Sequence, residues 1–460
     1  MEESSAAVRP LFTRRELFRL IWPLIIEQTL AIAVGMADSV MVSSVGEAAI
    51  SGVSLVDMIS VLLINVFAAL ATGGAVVTSQ FLGARDGRSA RESADQLMLI
   101  TLVLSCVITA VVLAFRQRLL TLAFGDVEPD VMANCLTYIA ITGFSYPFIA
   151  LYNSAAALFR SLNNSRVSML VSLAMNAINV VGNATLVYGF RLGVAGVAIP
   201  TLVSRAFAAV VMLLLLRKKN NPVRIGANGK LRFNRGMSRR ILTIGIPSAV
   251  ENGMFQFGKI LVISMIAGFG TAQIAANAMG NNIAALSILT GQALALAIVT
   301  VVGRCVGAQD LRQAKRYGLN LTLLSDLLTT LACGLVVLVL PLLLRLYSAS
   351  PEASHYVRVV IWMHAATVPL LWSWSFVLPG ALRACNDVKF TSAAAIASMW
   401  IVRVGGSYLL GVRLGWGVVG VWAAMLIDWV VRAAFYVPRF FTGGWKKHAI
   451  YTPVAHHRDI

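Results

Sequence analysis

The chain has 460 residues, of which 58% are hydrophobic and only 13% are charged, and its mean hydropathy is +0.78. A soluble domain needs roughly a quarter of its residues charged, so this composition excludes one. The net charge of +18 does not indicate nucleic-acid binding, because the basic residues are spread among the gaps between apolar runs. The composition predicts a polytopic membrane protein in contact with lipid, with no nucleic-acid partner.

Twelve apolar runs follow one another along the chain, each about long enough to cross ~30 Å of hydrocarbon. The sequence begins Met1-Glu2-Glu3 and has no basic n-region with a small-residue cleavage site, so we expect the first run to be a retained span. The five cysteines are scattered singly, so neither disulfides nor a metal site is expected from them. The runs predict an all-α integral membrane fold with helices near residues 17–43, 51–79, 96–115, 131–159, 166–190, 195–216, 241–268, 273–302, 319–343, 355–382, 389–412 and 417–438.

The distribution of Lys and Arg predicts the orientation of these helices. If both termini are cytoplasmic, the inside segments hold nearly five times as many basic residues as the outside loops, nine of them between Arg217 and Arg240. Basic loops remain on the cytoplasmic side of a membrane. We therefore expect a multi-pass protein of the cell inner (plasma) membrane with both termini in the cytoplasm.

The chain also contains an internal repeat with an offset of 224 residues. The offset separates equivalent points by six spans, an even number, so the two halves have parallel topology. Residues 1–216 are predicted to form a first lobe, 217–240 a cytoplasmic linker, 241–440 a second lobe and 441–460 a cytoplasmic tail. The matching pairs include Pro23 with Pro247, Glu27 with Glu251, Gly83 with Gly307 and Asp86 with Asp310.

Several short motifs, in this order along nearly the whole chain, resemble the multidrug and toxic compound extrusion (MATE) family. They are Trp22-Pro23-Leu24, Met36-Ala37-Asp38-Ser39, the Gly-Ala-x-Asp loops at Gly83 and Gly307, Arg160-Ser161-Leu162-Asn163-Asn164, and Gly193-Val194-Ala195-Gly196. The resemblance implies an antiporter that exports organic, often cationic, compounds in exchange for protons or sodium ions by alternating access.

Other classes of membrane protein fit the sequence less well. The loop at Gly83 lacks the full motif of major facilitator carriers, and the chain shows no nucleophile elbow, phosphate loop or His/Asp cluster of an enzyme. A flippase of lipid-linked or peptidic substrates, from a related fold, stays open because Lys259 and Arg403 lie within spans. We expect a monomer that has a small organic substrate and no cofactor other than a coupling proton or sodium ion.

Polar residues at a common depth predict an ion site in the first lobe. Asp38, Asn179, Asn183, Thr201 and Asp57 all fall in the outer halves of their spans. A carboxylate in a membrane span is expensive and therefore a functional candidate, and hard cations take oxygen ligands.

The resemblance implies that this family binds its coupling cation at the positions of Asp38, Asn179, Asn183 and Thr201. Asn183 stands where many relatives carry an Asp. We therefore hypothesise that Asp38 alone carries the exchanged charge, by a proton or by a sodium ion, and no other metal ion is expected.

The remaining polar residues of the spans predict a cavity or gate. The paired Glu27 and Glu251 either brace the two lobes or line the cavity. The second lobe has Val262 and Asn281 at the positions of Asp38 and Asp57, so the same ion site is not expected there. Further cavity or gating candidates are Met36, Phe255, Gln256, Lys259 and Arg403.

Overall fold

The computed structural model describes residues 10–125, 127–226, 233–347 and 350–449. These residues form twelve spanning helices and no strand, which confirms the predicted fold class. A short helix, Arg116–Phe124, follows the third span. The spans are α1 (Arg14–Ser43), α2 (Glu47–Gly83), α3 (Gly87–Ala114), α4 (Pro129–Gly143 continued by Tyr146–Ser161), α5 (Ser165–Gly189), α6 (Ala195–Arg217), α7 (Arg235–Ala267), α8 (Thr271–Gly307), α9 (Leu311–Leu346), α10 (Pro351–Ala384), α11 (Val388–Arg413) and α12 (Gly417–Phe441).

Ten of these helices are each long and apolar enough to cross a membrane, and α4 qualifies when its two parts, which meet at an angle of 47°, are taken as one span. The one remaining helix of the twelve is α7, which is less apolar because Glu251 and Lys259 lie in its middle. It begins at Arg235, six residues before the predicted start of the second lobe, because the helix continues beyond the apolar run into a basic stretch.

The Gly-Ala-x-Asp motifs form matching turns on the side of the molecule that carries the termini. In each turn the residue before the Asp has a left-handed backbone conformation, with φ of 59° at Arg85 and 57° at Gln309. Each Asp side chain then accepts a hydrogen bond from a backbone N–H of the next helix, Asp86 from Ser89 and Asp310 from Gln313. The motif therefore connects and caps helices.

Three helices lose regular α geometry over part of their length. π-helical segments occur at Thr185–Gly189 in α5, Val368–Trp372 in α10, and Ser398–Val404 and Ser407–Arg413 in α11. Such segments shift the side chains that follow them around the helix axis and are frequent at functional sites.

The first lobe (α1–α6) and the second lobe (α7–α12) pack closely on the termini side. A Cβ atom on Gly83 would lie 2.0 Å from the backbone oxygen of Arg304, and one on Gly307 would lie 1.8 Å from that of Gln80. The Arg304 guanidinium donates to the backbone oxygen of Ser161 at 2.6 Å. Helix α2 provides most of the first-lobe side of this contact, against α7 and α8. The lobes are therefore closed together at this end.

Candidate functional site

Four of the predicted ion-site residues meet in one hydrogen-bonded cluster, which we call the first-lobe ion site after the role that the sequence predicts for it: Asp38, Asn179, Asn183 and Thr201. The Asn183 amide donates to the Asp38 carboxylate at 2.8 Å, and it lies 3.4 Å from the Asn179 oxygen. Asn179 and Asn183 are one turn apart on α5, so both amides face α1. All but Asp38, which is half-buried, are buried.

The amide of Asn179 lies between the carboxylate of Asp38 and the hydroxyl of Thr201. One end of this amide is 2.9 Å from an Asp38 oxygen, and the other end is 3.2 Å from the Thr201 oxygen. The contact with Asp38 is a hydrogen bond to an ionised carboxylate only when the amide nitrogen faces it. The buried oxygen of Asn183 has no hydrogen-bond partner among the described residues. The cluster therefore holds an amide oxygen that is free to ligate a cation.

The fifth predicted residue, Asp57, lies beside this cluster and makes different contacts. Its carboxylate accepts a hydrogen bond of 3.3 Å from the Tyr138 hydroxyl. The guanidinium of Arg205 interacts electrostatically with both Asp57 and Asp38, and it donates to Ser145 at 2.8 Å. Sequence reasoning assigned no role to Arg205, although its position one helical turn after Thr201 places it on the same face of α6.

A central cavity of about 930 Å³ lies between the lobes and is lined by both. Most of the predicted cavity candidates line it, but Met36 does not. Met36 is nine residues after Glu27, a rotation of roughly 180° about α1, so it lies on the opposite face, 60% exposed. The predicted residues that do line the cavity are Glu27, Glu251, Phe255, Gln256, Lys259 and Arg403.

The paired glutamates both brace their lobes and line the cavity. Glu27 accepts a hydrogen bond from Ser168 on α5 at 3.0 Å, and Glu251 accepts one from Ser392 on α11 at 2.9 Å. These two serines are also 224 residues apart. The second contact differs between the lobes. Glu251 forms an ion pair with Arg383 at 2.6 Å, whereas among the described residues no Lys or Arg nitrogen lies within 4 Å of Glu27.

Aromatic residues cover much of the cavity wall in the second lobe. His364 is buried there, and its ring lies 3.0 Å from the Ser287 hydroxyl and edge-on to two tryptophans, as expected for a packed helix residue. A buried ion pair of 3.0 Å joins Asp428 to Arg432, which are four residues apart and therefore neighbours on one face of α12. The second-lobe Phe, Trp and Tyr residues that line the cavity are Phe255, Trp372, Phe376, Trp422, Trp429 and Tyr436.

A cavity at the interface of two repeated six-helix lobes, with polar residues inside the spans, defines a membrane transporter. The family model MatE matches residues 23–185 and again residues 247–409, at the 224-residue offset. The chain belongs to this family, the MATE transporters, and is not an enzyme.

Known proteins resemble this chain along nearly its whole length. It is 27% identical over 447 residues to "Uncharacterized transporter YisQ" of Bacillus subtilis, covering 96% of this chain and 97% of that protein. It is 23% identical to "Probable multidrug resistance protein NorM" of Thermotoga maritima, covering 95% and 94%. A solved structure described as the outward-facing conformation of a multidrug resistance MATE family transporter matches with a TM-score of 0.86 at 20% identity, covering 94% and 96% of the two chains.

Proposed function

We propose that this transporter is a secondary antiporter that exports small organic compounds in exchange for protons or sodium ions, with Asp38 as the coupling group. The observation that carries the proposal is the first-lobe ion site itself. It combines one carboxylate, two amides and a hydroxyl within the spans, and one amide oxygen is left without a partner. An intramembrane carboxylate needs a proton or a cation to offset its cost.

The Asn179 amide gives this site two states that differ in hydrogen bonding. With Asp38 ionised, the amide nitrogen faces the carboxylate and donates to it across 2.9 Å. With Asp38 protonated, the acid O–H donates to the amide oxygen in the opposite orientation, and the nitrogen donates to Thr201. A sodium ion between the carboxylate and the oxygens of Asn179 and Asn183 would favour the second orientation as well. Binding of the coupling ion is thus linked to the orientation of the Asn179 amide between Asp38 of α1 and Thr201 of α6.

The packing of the lobes supports an alternating-access mechanism. They are closed at the termini side by the contacts at Gly83 and Gly307, and the central cavity lies beyond this seal. With both termini in the cytoplasm, this arrangement is open to the outside, and it is the state that would release substrate and receive the coupling ion. Coupling requires that ion and substrate each bind the two arrangements with different free energies.

Each chain encloses its own cavity between its two lobes, so we propose that a monomer in the plasma membrane is the transporting unit. The family resemblance predicts an organic cation as substrate. Glu27 is the residue that favours such a substrate, because its carboxylate lines the cavity and its hydrogen-bond donors, Tyr152 and Ser168, are neutral. Arg160 interacts with this carboxylate electrostatically but forms no ion pair with it within 4 Å.

The experiment is transport by purified protein in liposomes under an imposed pH gradient or an imposed sodium gradient. We expect one gradient to drive uphill movement of ethidium or of an anionic dye, and Asp38→Asn to reduce that movement to the level of protein-free liposomes. Asp130→Asn, at an exposed acidic residue at the start of α4, is the matched control and should transport normally. Uphill transport by Asp38→Asn at the rate of the parent would contradict the proposal.

A further inference from the structure

Basic residues are concentrated on the second-lobe wall of the cavity. Four of them line it, and two of these are neutralised: Arg383 by Glu251 at 2.6 Å and Arg432 by Asp428 at 3.0 Å. The other two are Lys259 and Arg403. Among the described residues, no carboxylate oxygen lies within 4 Å of the nitrogens of either side chain. This wall therefore carries two positive charges that the protein does not neutralise by contact.

The two unpaired cations are arranged around Phe255 of α7. The guanidinium of Arg403 lies 5.4 Å from the centre of its ring, and that of Arg432 lies 5.6 Å away. Lys259 follows Phe255 by four residues and so lies on the same face of α7, one turn further along the helix. The Nε atom of Arg403 is buried and has no hydrogen-bond partner in the part of the chain that the structure describes. The wall thus presents an unused N–H donor as well as unbalanced charge.

The internal repeat shows how this wall relates to the first-lobe ion site. The 224-residue offset places Arg403 at the position of Asn179 and Val262 at the position of Asp38. Val262 is buried in an apolar cluster with Ile266 and Val421. The second lobe therefore lacks the carboxylate and has a guanidinium where the first lobe has the amide that contacts it. The charge of the site is reversed between the two lobes.

We propose that Arg403 and Lys259 bind an anionic group of the transported compound, a carboxylate, sulfonate or phosphate. Charged groups within a membrane are costly unless they are paired, and the planar fork of an arginine suits these oxyanions. The neighbouring aromatic side chains Trp372, Phe376, Trp422 and Trp429 provide an apolar surface for the rest of the molecule. Resting on the transport function proposed above, this assigns an organic anion or zwitterion as the substrate class, in place of a purely cationic compound.

The test is equilibrium binding to the purified full chain in lipid nanodiscs, without any ion gradient. Two probes with the same ring, naphthalene-1-sulfonate and 1-naphthyltrimethylammonium, are compared by calorimetry. We expect the parent protein to bind the sulfonate at least about tenfold more tightly than the ammonium compound. Arg403→Asn, which restores the residue of the first lobe, and Lys259→Gln should each weaken sulfonate binding about tenfold and leave ammonium binding unchanged.

Arg413→Gln is the matched control, because Arg413 is an exposed basic residue of the same helix, α11, and does not line the cavity. It should bind both probes as the parent does. If Arg403→Asn does not fold, the test uses variants of the exposed Lys259 instead. Lys259→Glu should then bind the ammonium probe more tightly than the sulfonate probe. Equal affinity of the parent for both probes, or sulfonate affinities of Arg403→Asn and Lys259→Gln within about twofold of the parent, would overturn the proposal.

Nanodiscs of zwitterionic and of anionic phospholipid distinguish two sources of the anion. Competition by the anionic lipid would identify a lipid head group as the ligand, and its absence would identify a soluble compound; both outcomes support anion binding at this wall. The measurement is also independent of ion coupling. No ion gradient is imposed, so a failure of gradient-driven transport would leave this proposal intact, and a failure of sulfonate binding would leave the proposed coupling at Asp38 intact.

Discussion

The two lobes share a scaffold but differ in charge at equivalent positions. Their turns match at Asp86 and Asp310, and their paired glutamates each accept a hydrogen bond from a serine at the same offset. The first lobe then carries a carboxylate at Asp38, where the second lobe has Val262 in an apolar cluster. The difference teaches that helix packing can be kept after duplication while the charges at equivalent positions diverge.

The largest expected effect concerns a buried ion pair found in the second lobe alone. Arg432→Met should lower the free energy of unfolding by about 3–5 kcal/mol, because the fully buried Asp428 would lose its partner. The equivalent first-lobe residues are Ser204 and Ala208, which carry no charge. Denaturation in detergent, followed by the loss of helical circular dichroism, measures the change.

The double variant Asp428→Leu/Arg432→Met is the control for this prediction. Replacing both partners of a buried ion pair by apolar residues is often nearly neutral, so the double variant should be more stable than Arg432→Met alone. Equal stabilities of the single and double variants would show that the pairing of charges is not what Arg432 contributes.

A smaller difference is expected at the paired glutamates. Arg383→Met should reduce stability by about 2–3 kcal/mol, because it removes a 2.6 Å charged hydrogen bond to the buried Glu251. Arg160→Met, at the corresponding position of the first lobe when one residue of slippage in the 224-residue offset is allowed, should cost less, since Glu27 has hydroxyl donors as its hydrogen-bond partners. The same denaturation measurement compares the two variants. A larger loss of stability for Arg160→Met than for Arg383→Met would contradict the conclusion that only Glu251 depends on an arginine partner.

The smallest effect sharpens the comparison of the ion site with its counterpart. Asn183→Ala removes a 2.8 Å hydrogen bond to Asp38 and should raise the ion concentration for half-maximal exchange about tenfold, equivalent to ~1.4 kcal/mol. Ser407→Ala alters the equivalent second-lobe position, whose hydroxyl is buried without a partner, and should leave this concentration unchanged. A similar change in both variants, measured in liposomes, would argue against an ion site confined to the first lobe.

The sequence predicted part of the candidate site because depth in the membrane can be counted along a helix. Asp38, Asn179, Asn183 and Thr201 were grouped by this count, and the structure brings them together. The angle between two residues around one helix can also be calculated from their spacing in the sequence, and it tells whether they share a face. The count of roughly 100° per residue puts Met36 opposite Glu27, and it fails as a cavity residue for that reason.

What could not be predicted depends on contacts between helices. The sequence left Glu27 and Glu251 open between a bracing and a cavity role, and the structure shows both, because one face of each glutamate meets a neighbouring serine and the other meets the space between the lobes. The position of Arg205 near two carboxylates likewise requires α1, α2 and α6 to be packed together.

The sequence by itself determined the twelve helices, the repeat and the family, because hydrophobic length and repeated motifs are properties of the chain alone. Only the tertiary structure decided which charges are paired. Among the described residues of the second-lobe wall, Glu251 and Asp428 neutralise Arg383 and Arg432, and this leaves Arg403 and Lys259 unpaired. The physical reason is that neutralisation depends on separations of a few ångströms between side chains, and helix packing sets those separations.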